Sequence, residues 1–295
     1  MKIGFNEATA RDCSSLEKDI LLCDEVGFEA IELRIDMLKT YLENHTKAQL
    51  ATLLDSARVR PVNLNAVYPY EELFSSQDTP KRQKRFLDDF YLACELAQLT
   101  GAKALVLCPP LKADRRTPFE GSIQALHEMN LRIVSRLARE AERSGTKLGF
   151  EIVGARYSAC RDLAAAKAIL DELGLENLGL TVDTYNLYMG TLDSSFSDMA
   201  ILRAEDILIA HINDADYVPL EQVGDQSHRC FPGKGFLDMD AYLRSLLSIG
   251  YDGVVSVETF RPEYWARPAE WVIGEAYRAT HAAMERNGCL RYKGE

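Results

Sequence analysis

The chain has 295 residues, 47% hydrophobic and 27% charged, the profile of an ordinary soluble globular protein that can bury a large core without staples. Its 34 Lys and Arg against 45 Asp and Glu give a formal charge of −11. That balance disfavours a nucleic-acid partner, which requires a basic surface against the phosphates.

Short apolar runs alternate with amphipathic stretches. Strands are predicted at 2–6, 30–35, 61–66, 104–108, 147–152, 178–183, 206–212 and 253–259. They are rich in Val, Ile and Leu without strict alternation, as in parallel strands buried on both faces. Helices are predicted at 15–26, 47–57, 81–99, 123–144, 162–173, 196–202, 240–248 and 271–287. Several stop at a glycine before the next strand: Gly27, Gly101, Gly145, Gly174 and Gly250. Asp in the 237–240 stretch is an N-cap for the seventh helix. Eight strand–helix units imply a (β/α)8 TIM barrel forming a single domain over residues 1–295. The alternative, a doubly wound sheet, ordinarily carries a glycine-rich loop after its first strand, and Phe5-Asn6-Glu7-Ala8-Thr9 is not one. The irregular stretches 67–80 and 213–236 read as active-site loops.

The seven cysteines are scattered without CxxC spacing, so neither a disulfide framework nor a zinc ribbon is indicated. No segment approaches ~20 uncharged apolar residues, and the opening MKIGFNEATARD lacks a signal-peptide run. A cytoplasmic protein with no membrane partner is expected.

In such a barrel the chemistry sits at the carboxyl ends of the strands. Polar residues there are Asn6, Glu7, Glu32, Arg34, Asn63, Asn65, Glu151, Asp183, His211 and Glu258. The last four each follow an apolar run: LGF-Glu151, LTV-Asp183, LIA-His211 and VSV-Glu258. A carboxylate in such a strand is destabilised by desolvation unless it is paired or bound to a cation. Singly, each is equally well a cap, an ion-pair partner of Arg34, Arg143 or Arg261, or, for His211, a core residue. On four successive strands they suggest one divalent ion, Zn²⁺, Mn²⁺ or Mg²⁺. The second nitrogen of His211 then needs an acceptor, a carboxylate or a backbone carbonyl.

The FNEAT opening, Leu64-Asn65-Ala66, the fifth strand with Glu151, H-I-x-D at 211–214, Phe231-Pro232-Gly233-Lys234-Gly235 and the 258–264 stretch ending in FRPEY resemble the xylose isomerase-like TIM barrels. More narrowly the chain is similar to the inosose (2-keto-myo-inositol) isomerases of inositol catabolism. The resemblance covers essentially the whole chain and implies one metal held by the same quartet. It also implies isomerisation of a small polyhydroxy ketone through a metal-stabilised enediolate, with Glu151 and Glu258 exchanging the proton. A dehydratase of inosose or 3-dehydroshikimate, or a ketose 3-epimerase, uses the same metal site. Two departures stand near the pocket: Asn186, where many relatives have His, and Ala155-Arg156-Tyr157, where the inosose isomerases have a His-Pro-Gln type stretch. Endonuclease IV-like members use three metals and additional histidines; the chain has five His, and 45, 127 and 281 read as helical or helix-flanking.

Asn6, Arg34, Asn65, Asn186, Arg229, Arg261 and Glu263 are the expected hydroxyl-binding groups, with a structural ion pair as the alternative for Arg261 and Glu263. Lys234 reads as solvated. Tyr68, Tyr70, Phe231 and Trp265 could form an apolar platform or simply pack. The apolar C-terminal helix and the tail Cys289-Leu290-Arg291-Tyr292 have two faces to cover, the barrel base or a second copy in a homodimer.

Overall fold

The computed structural model describes residues 1–70, 73 and 80–290. Part of the 67–80 loop and the tail residues Arg291 and Tyr292 therefore lie outside the described residues.

Eight parallel strands close into a barrel: β1 Lys2–Asn6, β2 Ala30–Arg34, β3 Arg60–Val67, β4 Ala104–Leu107, β5 Lys147–Glu151, β6 Leu178–Asp183, β7 Ile207–Ile212 and β10 Val254–Val257. β10 pairs back onto β1, which removes the sheet's free edges. A two-residue hairpin, β8 Asp214–Ala215 with β9 Arg229–Cys230, stands above the carboxyl end of β7.

The surrounding helices are α1 Leu16–Val26, α2 Ile35–Asn44, α3 Lys47–Ser56, α4 Pro80–Thr100, α5 Ile123–Glu142, α6 Leu163–Leu173, α7 Thr184–Thr191, α8 Met239–Ser248, α9 Pro262–Trp265 and α10 Ala269–Arg286. Their ends follow local chemistry. Ser15 caps α1 by accepting from the Lys18 amide, and Gly27 closes it at φ 107°, a left-handed conformation that costs a glycine little. Thr46 and Gln49 form a reciprocal capping box on α3. Asp238 caps α8.

Three expectations need correction. The helix expected at 196–202 is only a 3-10 turn, Ser197–Ile201, and the helix that follows β6 is α7. Its sequence TYNLYMGT is poor in strong helix formers, so propensity hides it. Its N-cap is Asp183, whose Oδ1 accepts from the Asn186 amide. Likewise α2 starts directly from the last residue of β2, with no break in sequence to announce it.

The core is the apolar girdle between strands and helices, with Phe5, Ile31, Leu33, Phe150, Val182, Ile212 and Val257 all buried. Packing also fixes the strand ends. Tyr242 of α8 donates to the carbonyls of both Val182 and His211, each at 3.0 Å, tying β6 to β7 beside the polar cluster. The PGKG stretch is ordered by Asp214, whose carboxylate accepts from the amides of Gly233, Gly235 and Leu237. Gly235 is obligatory there, because an added Cβ would collide with the Ala215 carbonyl.

Candidate metal centre

Parallel register brings the quartet to one level. Asp183 lies opposite His211, Ser256 opposite His211, and Glu151 opposite Thr181, with Glu258 directly after β10. All four side chains are buried, and one potential ligand atom from each lies within 4.8 Å of the others. His211 Nδ1 is 3.4 Å from Glu151 Oε1 and 3.5 Å from Glu258 Oε2. Metal–ligand bonds near 2.0–2.2 Å hold donor atoms roughly 3–4.3 Å apart, so small side-chain adjustments suffice to enclose an ion.

Two further observations fit a cation. Among the described residues Nδ1 of His211 is buried without a hydrogen-bond partner, whereas Nε2 faces Glu32 Oε2 at 3.1 Å. An imidazole that donates backward through Nε2 and gives up its Nδ1 proton to a metal presents a lone pair on Nδ1, the geometry of a ligating histidine. Glu32 is thus the acceptor carboxylate expected behind His211. The charge balance points the same way: Glu32, Glu151, Asp183 and Glu258 are buried around one guanidinium, Arg229, and one imidazole. Unpaired buried anions are costly, and a divalent ion would offset that cost.

The carboxylates are not equivalent. Burial lifts Glu151 to about 7 despite the nearby imidazole. Burial acts on Glu258 as well, but His211, Arg229 and a hydrogen bond from Asn65 outweigh it and hold this group at about 2. Asp183 is raised, chiefly by burial. For His211 burial opposes the charged ring, yet Glu32 and Glu258 outweigh it and raise its proton affinity well above the ordinary value.

Arg229 accounts for much of this. Its Nη1 bridges Asp183 Oδ2 at 2.9 Å and Glu258 Oε2 at 2.7 Å, and its guanidinium lies over Phe260 and Tyr185. Arg34, Arg143 and Arg261, the cations that could have paired with the quartet, instead bind Asp36, Glu140 and Asp216.

A cavity of about 300 Å³ opens over the cluster, lined by Glu151, Asn186, Arg229, Glu258, Tyr68 and Trp265 among others. Asn186 donates through Nδ2 to Glu151 Oε1 at 3.1 Å, and among the described residues its buried Oδ1 has no partner. Asn6 and Asn65 are brought to the cluster but stand behind it, donating to Glu258 Oε1 at 3.0 and 2.5 Å. They hold a carboxylate and do not line the cavity.

Arg34, Arg261 and Glu263 stand outside the lining of this cavity. The Arg34 guanidinium is clamped on Asp36 and lines a different cavity. Arg261 is held by Asp216 and packs on Tyr264, while Glu263 is largely exposed and lies 3.5 Å from Arg261. Phe231 is buried in a stack with Tyr264, so of the expected platform residues Tyr68 and Trp265 line the cavity. Phe260, Cys108 and Asn213 carried no assignment from sequence. Phe260 and Cys108 line the cavity, and Asn213 donates to Asp183 Oδ2 at 2.5 Å. Glu32 was legible as a polar strand end after an apolar pair, the same signal that marks the quartet.

A profile of the xylose isomerase-like TIM barrels matches residues 20–278. The chain belongs to that family. It is 31% identical to the inosose isomerase of Bacillus velezensis, over 97% of this chain and 98% of that one. To the inosose isomerase of Bacillus subtilis strain 168 it is 30% identical, over 95% and 96%. The crystal structure of an IolI protein with a bound zinc atom superposes with a TM-score of 0.87 at 29% identity, covering 97% of this chain and 99% of that one. Among the described residues of this xylose isomerase-like barrel, no helix is long and apolar enough to cross a membrane.

Proposed function

We propose that this barrel is a metal-dependent isomerase of a keto-inositol or closely related hydroxyketone, of the 2-keto-myo-inositol to 1-keto-D-chiro-inositol type. The observation that carries the reading is the partnerless Nδ1 of His211 among the Glu151, Asp183 and Glu258 carboxylates, at the floor of a cavity. The near full-length similarity to inosose isomerases supports the substrate class, and the zinc of the IolI structure supports zinc over manganese or magnesium.

A divalent ion held by Glu151, Asp183, His211 and Glu258 supplies Lewis-acid polarisation of the substrate carbonyl, which eases removal of the adjacent proton. The rest is the work of side chains. Glu151, with a proton affinity near neutrality, takes the proton from the α-carbon and returns it to the neighbouring carbon as the enediolate collapses, while the hydroxyl proton passes to the former carbonyl oxygen. Burial pushes that affinity up, and a bound cation would pull it back down. Glu258, fixed by Asn6, Asn65 and Arg229, remains an anion and a ligand. This separates two carboxylates that look interchangeable in sequence. Asn186 and Arg229 face the cavity and orient the hydroxyls, and Tyr68 and Trp265 present ring faces to an apolar side of the sugar.

The test is NMR of the metal-loaded enzyme with 2-keto-myo-inositol in D2O. A new keto-inositol should appear, chelation should abolish the reaction, and Glu151→Gln should lower turnover by about 10²–10⁴-fold. New ultraviolet absorbance from an enone would mean dehydration, and full activity after chelation would overturn the metal-dependent reading.

A further inference from the structure

A second cavity adjoins the first. It measures about 580 Å³ and is walled by three carboxyl-end loops: Arg115 and Arg116 after β4, Arg156 and Tyr157 after β5, and Gln226 and His228 after β7. Arg115, Tyr157, Asp225 and Gln226 line both cavities, so the two share a wall at the barrel mouth.

Its charge runs against the chain's. The protein carries −11 overall, yet this hollow gathers three guanidinium groups, and among the described residues none of them is in a salt bridge. The acids facing it are Glu221 and Asp225, and Asp225 is occupied in capping the Ser227 amide. Asp114, close to Arg116, is spent on the Arg116 and Thr117 amides and the Thr117 hydroxyl.

The loops are built to hold this shape. The Lys112 amide donates to the Tyr157 carbonyl at 2.9 Å, and the Phe119 amide to the Arg156 carbonyl at 2.8 Å, locking the loop after β4 onto the loop after β5. Arg115 is placed by a left-handed backbone, φ 52°, unusual for a residue with a side chain. That conformation sets its guanidinium over the Tyr68 ring and within hydrogen-bond reach of Tyr70, at the junction of the two cavities.

We infer that the second cavity is an anion subsite, and that the physiological substrate is a hydroxyketone polyol bearing a phosphate monoester or carboxylate, received by Arg115, Arg116 and Arg156. The inference rests on the isomerase reading for the reacting end. Guanidinium forks match the oxygens of either anion and form charge-assisted hydrogen bonds with them.

The test is calorimetric titration of the zinc-loaded protein at fixed ionic strength with myo-inositol, myo-inositol 1-phosphate and glucuronate. At least one anionic polyol should bind about tenfold or more tightly than myo-inositol, and Arg116→Gln with Arg156→Gln should cut that ratio several-fold, leaving only the share held by Arg115. Both arginines are exposed, so the substitutions leave the core untouched. Anionic polyols that bind no more tightly than the neutral one overturn the inference. So does a preference undiminished in the double variant, which would place the anion away from these arginines. Phosphate and glucuronate tell the two anions apart. Keto-inositol turnover without an anion preference would sink the subsite alone. An anion preference without keto-inositol turnover would sink the isomerase reading and leave the subsite standing.

Discussion

Glu32→Gln tests whether the ligating nitrogen of His211 is set from behind. In the wild type Glu32 Oε2 faces His211 Nε2 and Asn63 Nδ2, each at 3.1 Å, and Oε1 accepts from Asn6 Nδ2 at 3.2 Å. Both oxygens meet donors, so a glutamine of the same size cannot satisfy the site in either orientation. With its NH2 toward Asn6, two donors oppose each other. Asn6 cannot turn over to relieve this, since its Oδ1 already accepts from the Ala8 amide and its Nδ2 also serves Glu258. With the NH2 toward His211, Nε2 must become an acceptor, which moves the ring proton onto Nδ1, the atom facing the carboxylates. Losing a buried hydrogen bond to a charged group costs about 1.5–3 kcal/mol. Changes to such outer partners typically weaken a metal about 10–100-fold. The expected result is therefore a zinc Kd raised about 10–100-fold in competition against a chromophoric chelator. The melting temperature in excess chelator, recorded alongside, reports on the metal-free fold. A variant that binds zinc as tightly as the wild type would refute the assignment of Nδ1 as the ligand atom.

Two other expectations follow from buried and exposed carboxylates. Asp19 on α1 is buried, and burial outweighs Ser14 and Lys18 to lift it from 3.8 to about 7. Because the folded form holds its proton more tightly than the unfolded one, its contribution is fully present below about pH 4 and is lost as pH rises toward 7. The gap corresponds to roughly 4 kcal/mol at most, so Asp19→Asn should stabilise the protein at pH 8 and flatten denaturant midpoints between pH 4 and 8. A variant with the wild-type slope would show that another group carries it. Glu263→Ala, removing an exposed partner of Arg261, should change stability by less than about 0.5 kcal/mol and leave kcat/KM within about twofold. A tenfold loss of kcat/KM would return Glu263 to the substrate site.

The barrel and the quartet were legible because each rests on a signal within a few residues of sequence. An apolar run ending in a carboxylate is costly wherever it folds, and four in succession require a common remedy. Position at a strand end does not by itself decide which way a residue serves. Arg34 stands at such an end, but Asp36 two residues later captures it. Asn6 and Asn65 stand there too and work on Glu258, which barrel closure, with β10 pairing onto β1, brings within reach from the far end of the chain. The helix α7 escaped detection for a related reason. Its cap is Asp183, a residue already claimed by the quartet, and one carboxylate does both tasks: Oδ1 starts the helix while Oδ2 faces Arg229 and Asn213.

Net charge shows the same division between what is local and what is assembled. A formal −11 argues soundly against a long polyanion, whose many phosphates sample the average field of a whole face. It has no force against a single phosphate or carboxylate, which senses only the groups within a few ångströms, at separations shorter than the screening length. At this barrel mouth those groups are Arg115, Arg116 and Arg156, from two loops whose sequences are not especially basic, drawn together by the hydrogen bonds that join the loop after β4 to the loop after β5. The metal quartet and the arginine hollow are therefore opposite charges sorted onto adjoining cavities. A ligand with a neutral, electron-rich hydroxyketone at one end and an anion at the other would satisfy both, whereas a neutral inosose would leave the larger cavity unused.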